Sequence, residues 1–485
     1  MKGIPLTEDF ANGGVSFWYR QIGVPDRRAA LSGSRSYDVV IVGGGYTGLW
    51  TAYYLKKAQP DLRIAILERE FAGFGASGRN GGWLSAEFAG SRERYAKARG
   101  RQAMIDLQHA MFRSVDEVIE VTREEGIEAD IHKGGLVHVA TNPAQRRRLR
   151  EELSSLRTWG YGEDDLRVMS RDEQQERLRV AGTLEATYSP HCARIQPAKL
   201  AVGLASTVAA LGVDIFENTT VTEIRPRQGG MASGSGSGGT GSGGMAAAVT
   251  SHGVVSAECV IRATEGFTAS LAGQRRQWLP MNSSMIVTEP LPGEVWKHIG
   301  WSGNELLGDE AHAYIYAQRT ADDRIAIGGR GVPYRYGSRT DSQGATQAQT
   351  VALLWRMLVK LFPAAADARV QHSWCGVLGV PRDWCSTVHL DHTTGLGWAG
   401  GYVGSGVTTT NLAGRTLRDL VLRRDTELTA LPWVGRQVRQ WEPEPLRWTG
   451  VQLIYALFRA ADRHENDHGT TTSAYARIAN LISGR

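Results

Sequence analysis

The chain has 485 residues, of which 42% are hydrophobic and 22% charged, as is typical of a globular protein with two or three domains. Its net charge of +5 is small for this length and its basic residues are scattered, so we expect no nucleic-acid partner. No apolar run is long enough for a signal peptide or a membrane span, and the four cysteines form no CxxC pair, which predicts a cytoplasmic protein with reduced thiols.

Residues 36–68 predict a dinucleotide-binding unit, which follows an N-terminal extension over residues 1–35. Residues 39–42 are an apolar run of buried-strand length, and residues 49–57 have the spacing of a helix. Between them, three glycines in the G-x-G-x-x-G spacing permit a tight turn and close approach to a pyrophosphate: Gly43, Gly45 and Gly48. A second strand ends in Glu68, where an acid can accept hydrogen bonds from an adenosine ribose. Together these features predict a bound dinucleotide.

A second glycine-rich stretch, GFGASGRNGG at residues 73–82, contains the same spacing. It begins only five residues after Glu68, whereas a complete strand–helix–strand unit takes about 30 residues, so it is not a second nucleotide site. Its glycines suit close backbone approach to a flat or anionic ligand, and they are accompanied by Ser77, Arg79 and Asn80. We therefore predict one nucleotide site that uses both segments.

Several segments resemble the FAD-dependent amino-acid and amine oxidases of the D-amino-acid oxidase superfamily, and within it the branch of gamma-glutamylputrescine oxidase-like amine oxidases. Both glycine segments occur there in the same order, followed by a strand that ends in an Ala-Thr-x-Gly turn and by a C-terminal glycine-rich segment. The matching segments are residues 39–55, 73–82, 260–271, 398–421 and 441–448. No second fingerprint for NAD(P)H is present, so we expect the substrate to reduce the cofactor directly.

By this resemblance the cofactor is FAD, bound noncovalently, with a covalent link through Cys375 as the minority alternative. The implied reaction transfers a hydride from the α-carbon of an amine or amino-acid-like substrate to the flavin N5. Water hydrolyses the resulting imine to a carbonyl compound plus an amine or ammonia, and reoxidation by O₂ gives H₂O₂. The alternatives are a flavin dehydrogenase of the same superfamily, acting on a hydroxy acid or an amine with a non-oxygen acceptor, and a redox-inactive FAD-binding protein. The oligomeric state is left open.

The resemblance also implies which residues contact the FAD. The two glycine segments would border its pyrophosphate and ring, and the segment from Gly404 to Val407 would lie near the ring. The implied cofactor-binding residues are Gly43, Gly45, Tyr46, Thr47, Gly48, Glu68, Arg69, Gly75, Ala76, Ser77, Arg79, Asn80, Gly81, Val221, Thr264, Gly401, Gly404, Gly406, Val407 and Thr408.

The implied fold class is α/β: a discontinuous, Rossmann-like FAD-binding domain, joined to an α+β substrate domain with a mainly antiparallel sheet. The FAD-binding domain would take residues 36–90, 191–279 and 366–425, the substrate domain residues 91–190 and 280–365, and a helical tail residues 426–485. Residues 229–245 are a Gly/Ser segment between two strand-like pieces, which predicts a flexible hairpin tip. No metal site is expected, because a group of histidines and an acid that are close in sequence is typical here of a polar turn: His389, Asp391 and His392.

The substrate pocket is expected near SWCGVLGVPRDWCSTV, residues 373–388. The amino-acid oxidases resembled here have a Trp-x-Gly-x-Arg pattern whose arginine holds the substrate carboxylate, whereas this chain has Leu378 at the position of the arginine. The departure favours an amine or a polyamine derivative over an α-amino acid, with Arg382 or Arg330 as an alternative carboxylate partner. No paired carboxylates or triad are expected, and the catalytic residues stay unassigned. The pocket candidates are Trp83, Tyr314, Tyr316, Arg330, Trp374, Cys375, Leu378 and Tyr402.

Overall fold

Nineteen strands and eleven helices make up the part of the chain that the computed structural model describes, residues 3–227, 244–329, 334–340, 343–469 and 471–483. The strands are β1 Leu6–Asn12, β2 Arg35–Val42, β3 Ile64–Leu67, β4 Trp83–Ser85, β5 Leu136–Ala140, β6 Arg167–Val168, β7 Glu185–Ser189, β8 Cys192–Arg194, β9 Asp214–Phe216, β10 Val221–Arg225, β11 Ala246–Thr250, β12 Gly253–Arg262, β13 Leu279–Thr288, β14 Leu306–Asp309, β15 Ile315–Arg319, β16 Ile325–Gly329, β17 Val370–Val380, β18 Thr387–Asp391 and β19 Leu396–Gly400. The helices are α1 Phe17–Ile22, α2 Tyr46–Ala58, α3 Arg92–Glu124, α4 Pro143–Thr158, α5 Arg171–Arg177, α6 Pro197–Ala210, α7 Gly293–Ile299, α8 Ala348–Leu361, α9 Gly406–Val421, α10 Leu446–His468 and α11 Ala474–Ser483. None of the described helices is both long enough and apolar enough to cross a membrane.

A parallel sheet forms the centre of the α/β part, with the strand order β19-β12-β2-β3-β9. Alternate side chains of β2 point to opposite faces: Val39 and Ile41 pack against helices such as α2, while Val40 and Val42 pack on the other side. Because both faces are covered, the strand is a nearly unbroken apolar run. Strands from three separate stretches of the chain build this sheet, which confirms the discontinuous Rossmann-like fold.

A second sheet has nine strands in the order β1-β17-β13-β16-β15-β14-β5-β7-β6. Its pairs are antiparallel except β1 with β17 and β14 with β5, which confirms the mainly antiparallel sheet expected from the resemblance. One face packs on α8 through side chains that include Ile315, Ala317 and Ile327. Alternating residues, among them His138 and Tyr316, point to the opposite face, which borders a cavity described below.

The predicted domain segments do not divide cleanly between the two sheets. β17 pairs with β13 and β1, so the predicted FAD-binding segment 366–425 also supplies a strand to the nine-stranded sheet. The predicted extension over residues 1–35 likewise supplies β1. β17 pairs with a strand on each side, so its backbone hydrogen-bonding groups are satisfied within the nine-stranded sheet. The sequence pattern does not show which distant strands pair, and so it did not predict that these two segments belong to this sheet. The domain limits stay a proposal.

The predicted Gly/Ser segment lies mostly outside the described residues, since residues 228–243 are not among them. The strands on either side of it, β10 and β11, pair antiparallel, with Arg225 opposite Ala247. β11 in turn pairs with β12, so this hairpin extends one edge of the sheet that contains β2. The described residues on the two sides of the segment thus belong to neighbouring antiparallel strands.

Asp462 and Glu465 of helix α10 contact His312, and the potential ligand atoms of the three residues lie within 4.8 Å of one another. Glu465 accepts a hydrogen bond from Arg148 Nη1 at 2.6 Å and lies 2.9 Å from His312 Nε2. Asp462 accepts the backbone N–H groups of His312 and Ala313 at 2.8 and 3.0 Å. Because protein donors already contact these oxygens, we interpret the cluster as a structural contact between α10 and the loop after β14, and not as a metal site.

Candidate cofactor and substrate site

The two glycine segments meet at the N-terminus of α2. Gly43 follows β2 with a φ of 112°, and a Cβ atom on it would lie 2.5 Å from the carbonyl oxygen of Ala263. A Cβ atom on Gly45 would lie 2.9 Å from Ser77 Oγ. This hydroxyl oxygen accepts a hydrogen bond from the backbone N–H of Tyr46 at 2.8 Å, so Ser77 caps α2 from the second segment. The structure thus brings both segments to one place.

Glu68 lies beside this turn, directly after β3. Its Oε2 accepts a hydrogen bond from the backbone N–H of Gly44 at 2.7 Å, and its Oε1 accepts one from the backbone N–H of Glu70 at 2.9 Å. Burial raises the pKa of the Glu68 carboxyl, against the lowering effect of these two hydrogen bonds. Each carboxylate oxygen has a second lone pair, so a ribose hydroxyl in the adjoining cavity can still donate to this residue.

A cavity of about 150 Å³ lies over the N-terminus of α2. It combines glycine backbone, the N–H groups of a helix start and a buried acid, which together suit the pyrophosphate and ribose of a dinucleotide. The predicted cofactor residues that line it are Gly43, Gly45, Tyr46, Thr47, Glu68, Arg69, Gly75, Ala76, Ser77, Asn80, Val221, Thr264, Gly404, Gly406 and Val407. Two further predicted cofactor residues, Arg79 and Gly81, line a second, larger cavity. Gly48, Gly401 and Thr408 are not among the described residues that line either cavity.

Gly48 differs from the other two glycines of the turn in its role. A Cβ atom on this residue would overlap the carbonyl oxygen of Gly43 and lie 3.1 Å from Ile41 Cγ2. Gly48 therefore permits α2 to pack closely on β2, as the G-x-G-x-x-G spacing requires of its third glycine. It shapes the turn without contacting the cavity.

Glu265 lines the smaller cavity and is hydrogen-bonded to the C-terminal glycine segment that follows β19. The sequence analysis did not predict this role. Its carboxylate accepts backbone N–H groups from Gly379 at 3.2 Å, Gly401 at 2.8 Å and Tyr402 at 3.1 Å. Burial raises the pKa of Glu265 to about 7, although these hydrogen bonds and the charge of Arg262 oppose the shift. One side chain thus holds β17 and the segment after β19 together at the cavity wall.

A larger cavity of about 620 Å³ lies between the nine-stranded sheet and helices α3 and α4. The two cavities meet, because they share the lining residues Ala76, Asn80, Leu378, Gly404 and Val407. We call this meeting point the junction. Among the predicted pocket residues, those that line the larger cavity are Trp83, Tyr314, Tyr316 and Leu378, and Tyr402 lines the smaller one. Arg330 lies outside the described residues.

Tyr316 and Gln318 on β15 hold the nine-stranded sheet against the second glycine segment. The Tyr316 hydroxyl lies 2.8 Å from Ser283 Oγ in a shared hydrogen bond, and its ring makes a T-shaped contact with the Trp83 ring at 6.1 Å between centroids. A Cβ atom on Gly81 would lie 2.8 Å from the Tyr316 ring, while Gln318 Nε2 donates to the Gly81 carbonyl at 2.6 Å. These contacts position one wall of the larger cavity relative to the junction.

Trp374 and Cys375 differ from their predicted place, because neither is among the described residues that line the two cavities. The Trp374 ring packs against Trp18 of α1, and its Nε1 donates to the Arg79 carbonyl at 2.9 Å. Arg79 in turn donates from Nε to the Phe74 carbonyl at 2.8 Å and from Nη1 to the Cys375 carbonyl at 3.3 Å. The N-terminal helix α1, which had no predicted role, encloses Trp374 and makes these residues a support for the second glycine segment.

Comparison with known proteins agrees with this architecture. The gamma-glutamylputrescine oxidoreductase of Escherichia coli (strain K12) is 29% identical over 404 residues, which cover 82% of this chain and 86% of that protein. The glycine oxidase of Geobacillus kaustophilus (strain HTA426) is 24% identical over 404 residues, covering 82% of this chain and 96% of that protein. The crystal structure of glycine oxidase from Geobacillus kaustophilus covers 83% of this chain and 99% of its own with a TM-score of 0.66 at 23% identity, a likeness of fold.

The chain also matches a family, DAO, described as FAD dependent oxidoreductase, over residues 38–420. This range contains the glycine turn, Glu68, Glu265 and the junction. The narrow glycine cradle, the capped start of α2 and the buried acid fit the pyrophosphate and ribose of FAD. The matched range is well over half of the chain, and the protein therefore belongs to the FAD dependent oxidoreductase family, as an enzyme whose cofactor is FAD.

Proposed function

We propose that this enzyme is an oxidase of an amine that carries no carboxylate on its α-carbon. In the overall reaction the amine, O₂ and water give a carbonyl compound, ammonia or a smaller amine, and H₂O₂. The amine loses two electrons and two protons to form an imine, which water hydrolyses, and O₂ gains them. The observation that carries the proposal is Leu378, an apolar side chain at the junction. Relatives named as oxidoreductases of glycine and of gamma-glutamylputrescine support the amine class.

Leu378 lines both cavities at the position where the resembled amino-acid oxidases have an arginine. A carboxylate beside it would lose hydration without gaining an ion pair from this residue. The described lining of the larger cavity has Arg79, which donates to backbone carbonyls, and Arg92, which lies at the start of α3. Arg382 is 3.1 Å from Glu442 and is absent from the described lining of both cavities. An amine whose α-carbon carries no carboxylate therefore suits this junction better than an α-amino acid.

The chain contributes binding, orientation and exclusion of water. FAD, when bound, supplies the two-electron acceptor. Leu378 and Val407 give the junction apolar surface, which keeps water from the reacting C–H bond. The Tyr316 hydroxyl is hydrogen-bonded to Ser283 Oγ. It can accept a hydrogen bond from an N–H group of the amine and so orient the substrate nitrogen. No general base is required for a substrate that binds as the neutral amine.

Turnover in an oxygen electrode tests the oxidase assignment. The panel contains primary amines, N-methyl amines, D- and L-amino acids and hydroxy acids. We expect oxygen uptake with amines and equimolar formation of H₂O₂. Turnover that needs a dye as acceptor would identify the dehydrogenase alternative, and turnover of hydroxy acids alone would reject the amine substrate. A cofactor that dithionite reduces but no substrate reduces would identify the redox-inactive alternative.

Leu378→Arg is expected to change the substrate preference from amines towards amino acids. A guanidinium at the junction can bind a carboxylate through charge-assisted hydrogen bonds, which contribute about 1.5–3 kcal/mol. The ratio of kcat/KM for leucine over isopentylamine, its decarboxylated counterpart, should therefore rise at least about tenfold. Leu378→Met, which keeps an apolar side chain of similar volume, serves as the control. An unchanged ratio in Leu378→Arg would show that residue 378 does not face the α-substituent.

The FAD is expected to be released by acid, because Cys375 is poorly placed for a covalent link. Its buried Sγ lies 3.6 Å from the Ala345 carbonyl oxygen, and Cys375 is not in the described lining of either cavity. Precipitation with trichloroacetic acid should leave a colourless pellet and free FAD in the supernatant. A yellow pellet that becomes colourless in Cys375→Ser would instead establish the thioether.

A further inference from the structure

Helix α1 packs against the second glycine segment, where two glycines make room for it. A Cβ atom on Gly73 or on Gly78 would overlap the Tyr19 side chain. Ser16 caps α1 by accepting the backbone N–H of Tyr19, and its Oγ donates to the Gly78 carbonyl at 2.7 Å. Both Ser16 and Tyr19 are buried. These two glycines therefore serve the contact with α1.

The carbonyl groups of residues 78–81 each accept a hydrogen bond from a side chain. The Arg79 carbonyl accepts one from Trp374 Nε1 at 2.9 Å. The Asn80 carbonyl accepts one from Trp18 Nε1 at 2.8 Å. The carbonyls before and after this pair accept a hydroxyl and an amide donor. Trp18 and Trp374 are 1% and 0% exposed, so two buried indoles hold this stretch of backbone without competition from water.

The two indoles also set the direction of the N–H groups of Asn80 and Gly81. In a planar trans peptide the N–H points opposite to the C=O, so these two N–H groups point away from Trp374 and Trp18. Neither N–H donates to an acceptor among the described residues. Asn80 lines both cavities and Gly81 lines the larger one, whereas neither tryptophan is in their described lining. Two adjacent backbone donors are thus free on the side of the cavities.

Packing and hydrogen bonds leave these two peptide groups little freedom to turn. The Trp18 and Trp374 rings make a T-shaped contact at 5.8 Å between centroids, and the Phe17 ring lies 5.5 and 6.2 Å from them. The side chain of Asn80 closes the turn, because its Nδ2 donates to the Ser77 carbonyl at 2.7 Å. The two N–H donors are therefore in place before a ligand binds, which removes the cost of ordering them.

The flavin ring of FAD is the acceptor that fits this position. The pyrophosphate and ribose suit the smaller cavity at the N-terminus of α2, so the ring extends from there towards the junction. A substrate in the larger cavity can reach the ring only where the two cavities meet. Asn80 lies at this junction, and Gly81 follows it on the side of the larger cavity. The ring offers carbonyl oxygens as acceptors, and these gain negative charge when it is reduced.

We propose that Trp18 and Trp374 are positioning residues for the FAD of this enzyme. By holding the carbonyls of Arg79 and Asn80, they keep the next N–H groups, of Asn80 and Gly81, directed at a carbonyl oxygen of the flavin ring. Fixed donors at an atom that gains negative charge stabilise the reduced ring more than the oxidised one. The N-terminal helix thus raises the reduction potential of the FAD from a position behind the cavity wall. This role concerns the cofactor and does not depend on which substrate is oxidised.

Trp18→Phe tests this proposal, because it removes the indole N–H and keeps an aromatic ring. Dithionite titration of the holoenzyme with a dye of known potential measures the reduction potential of the bound FAD without any substrate. We expect the affinity for reduced FAD relative to oxidised FAD to fall about tenfold, which lowers the potential by about 30 mV. Phe17→Leu is the matched control, since Phe17 is buried on the same helix and packs on Trp374 but has no side-chain donor. Its potential should equal that of the wild type.

The two variants separate the effect of a hydrogen bond from that of packing. A lower potential in Trp18→Phe alone supports the proposal, whereas an unchanged potential, or an equal fall in Phe17→Leu, would overturn it. Because no substrate is used, the result is independent of the proposed amine oxidation. If Trp18→Phe does not fold by circular dichroism or is purified without FAD, Trp374→Phe replaces it and should lower the potential in the same way.

Discussion

Gly45→Leu is expected to give a folded protein that retains about a tenth or less of the wild-type FAD. The new Cβ atom would lie 2.9 Å from Ser77 Oγ, and the rest of the side chain would project into the smaller cavity. Both effects act where the backbone must approach the pyrophosphate, and displacement of Ser77 would also remove the hydrogen bond that caps α2. The ratio of flavin to protein absorbance after purification measures the loss.

The control for this variant is Gly293→Leu. Gly293 is an exposed glycine at the start of α7, where a Cβ atom would meet no atom within 4 Å among the described residues. It should retain full FAD, so that a loss in Gly45→Leu can be assigned to the position and not to the added leucine. Titration of both purified variants with FAD completes the comparison. A fully loaded, yellow Gly45→Leu protein would contradict the location of the cofactor site.

Glu265→Ala is expected to lower both FAD retention and stability. The substitution leaves the backbone N–H groups of Gly379, Gly401 and Tyr402 without their acceptor in a buried region. An unsatisfied buried donor costs about 1–3 kcal/mol, so we expect the free energy of unfolding to fall by about 3 kcal/mol after partial compensation by water. Denaturant unfolding of the FAD-depleted proteins measures this loss, and the absorbance ratio measures FAD retention.

Two variants frame the result for Glu265. Glu265→Gln keeps the shape and one acceptor oxygen of the side chain, so its loss of stability should be smaller than that of Glu265→Ala. Glu258→Ala removes an exposed glutamate from β12 and should behave as the wild type. If Glu265→Ala matched Glu258→Ala in stability and FAD content, Glu265 would not hold the cavity wall together.

Local features of the sequence predicted the parts of the site that depend on short-range geometry. The glycine turn between β2 and α2 follows from one strand, one turn and one helix, whose residues are all close in sequence. The prediction that residues 73–82 do not form a second unit also follows from length alone, because no additional strand and helix fit after Glu68. The contact by which Ser77 caps α2 is compatible with that prediction, although its geometry is visible only in the structure.

The remaining parts depend on contacts between distant segments. Glu265 has partners more than a hundred residues away in sequence, and an acid in a short turn has no pattern that predicts them. The larger cavity is lined by acidic residues and a histidine from four separate segments, the loop after β4, β5, α4 and the loop after β14, and only tertiary packing brings these segments together. Trp374 was predicted to line the pocket, but Trp18 of α1 covers it. The sequence could not show this, because the alternation of side chains along a strand does not tell which distant residue covers them.

Anaerobic titration of the purified holoenzyme, followed by the flavin absorbance, distinguishes an amine from an α-amino acid as the compound that reduces the FAD. Isopentylamine should bleach the absorbance fully, in proportion to the enzyme present, and readmission of air should restore it. Leucine, which adds a carboxylate to the α-carbon of the same amine, should bleach it far more slowly. Bleaching by α-amino acids but by no amine without a carboxylate would contradict the account, since another cation would then have replaced the arginine that Leu378 lacks.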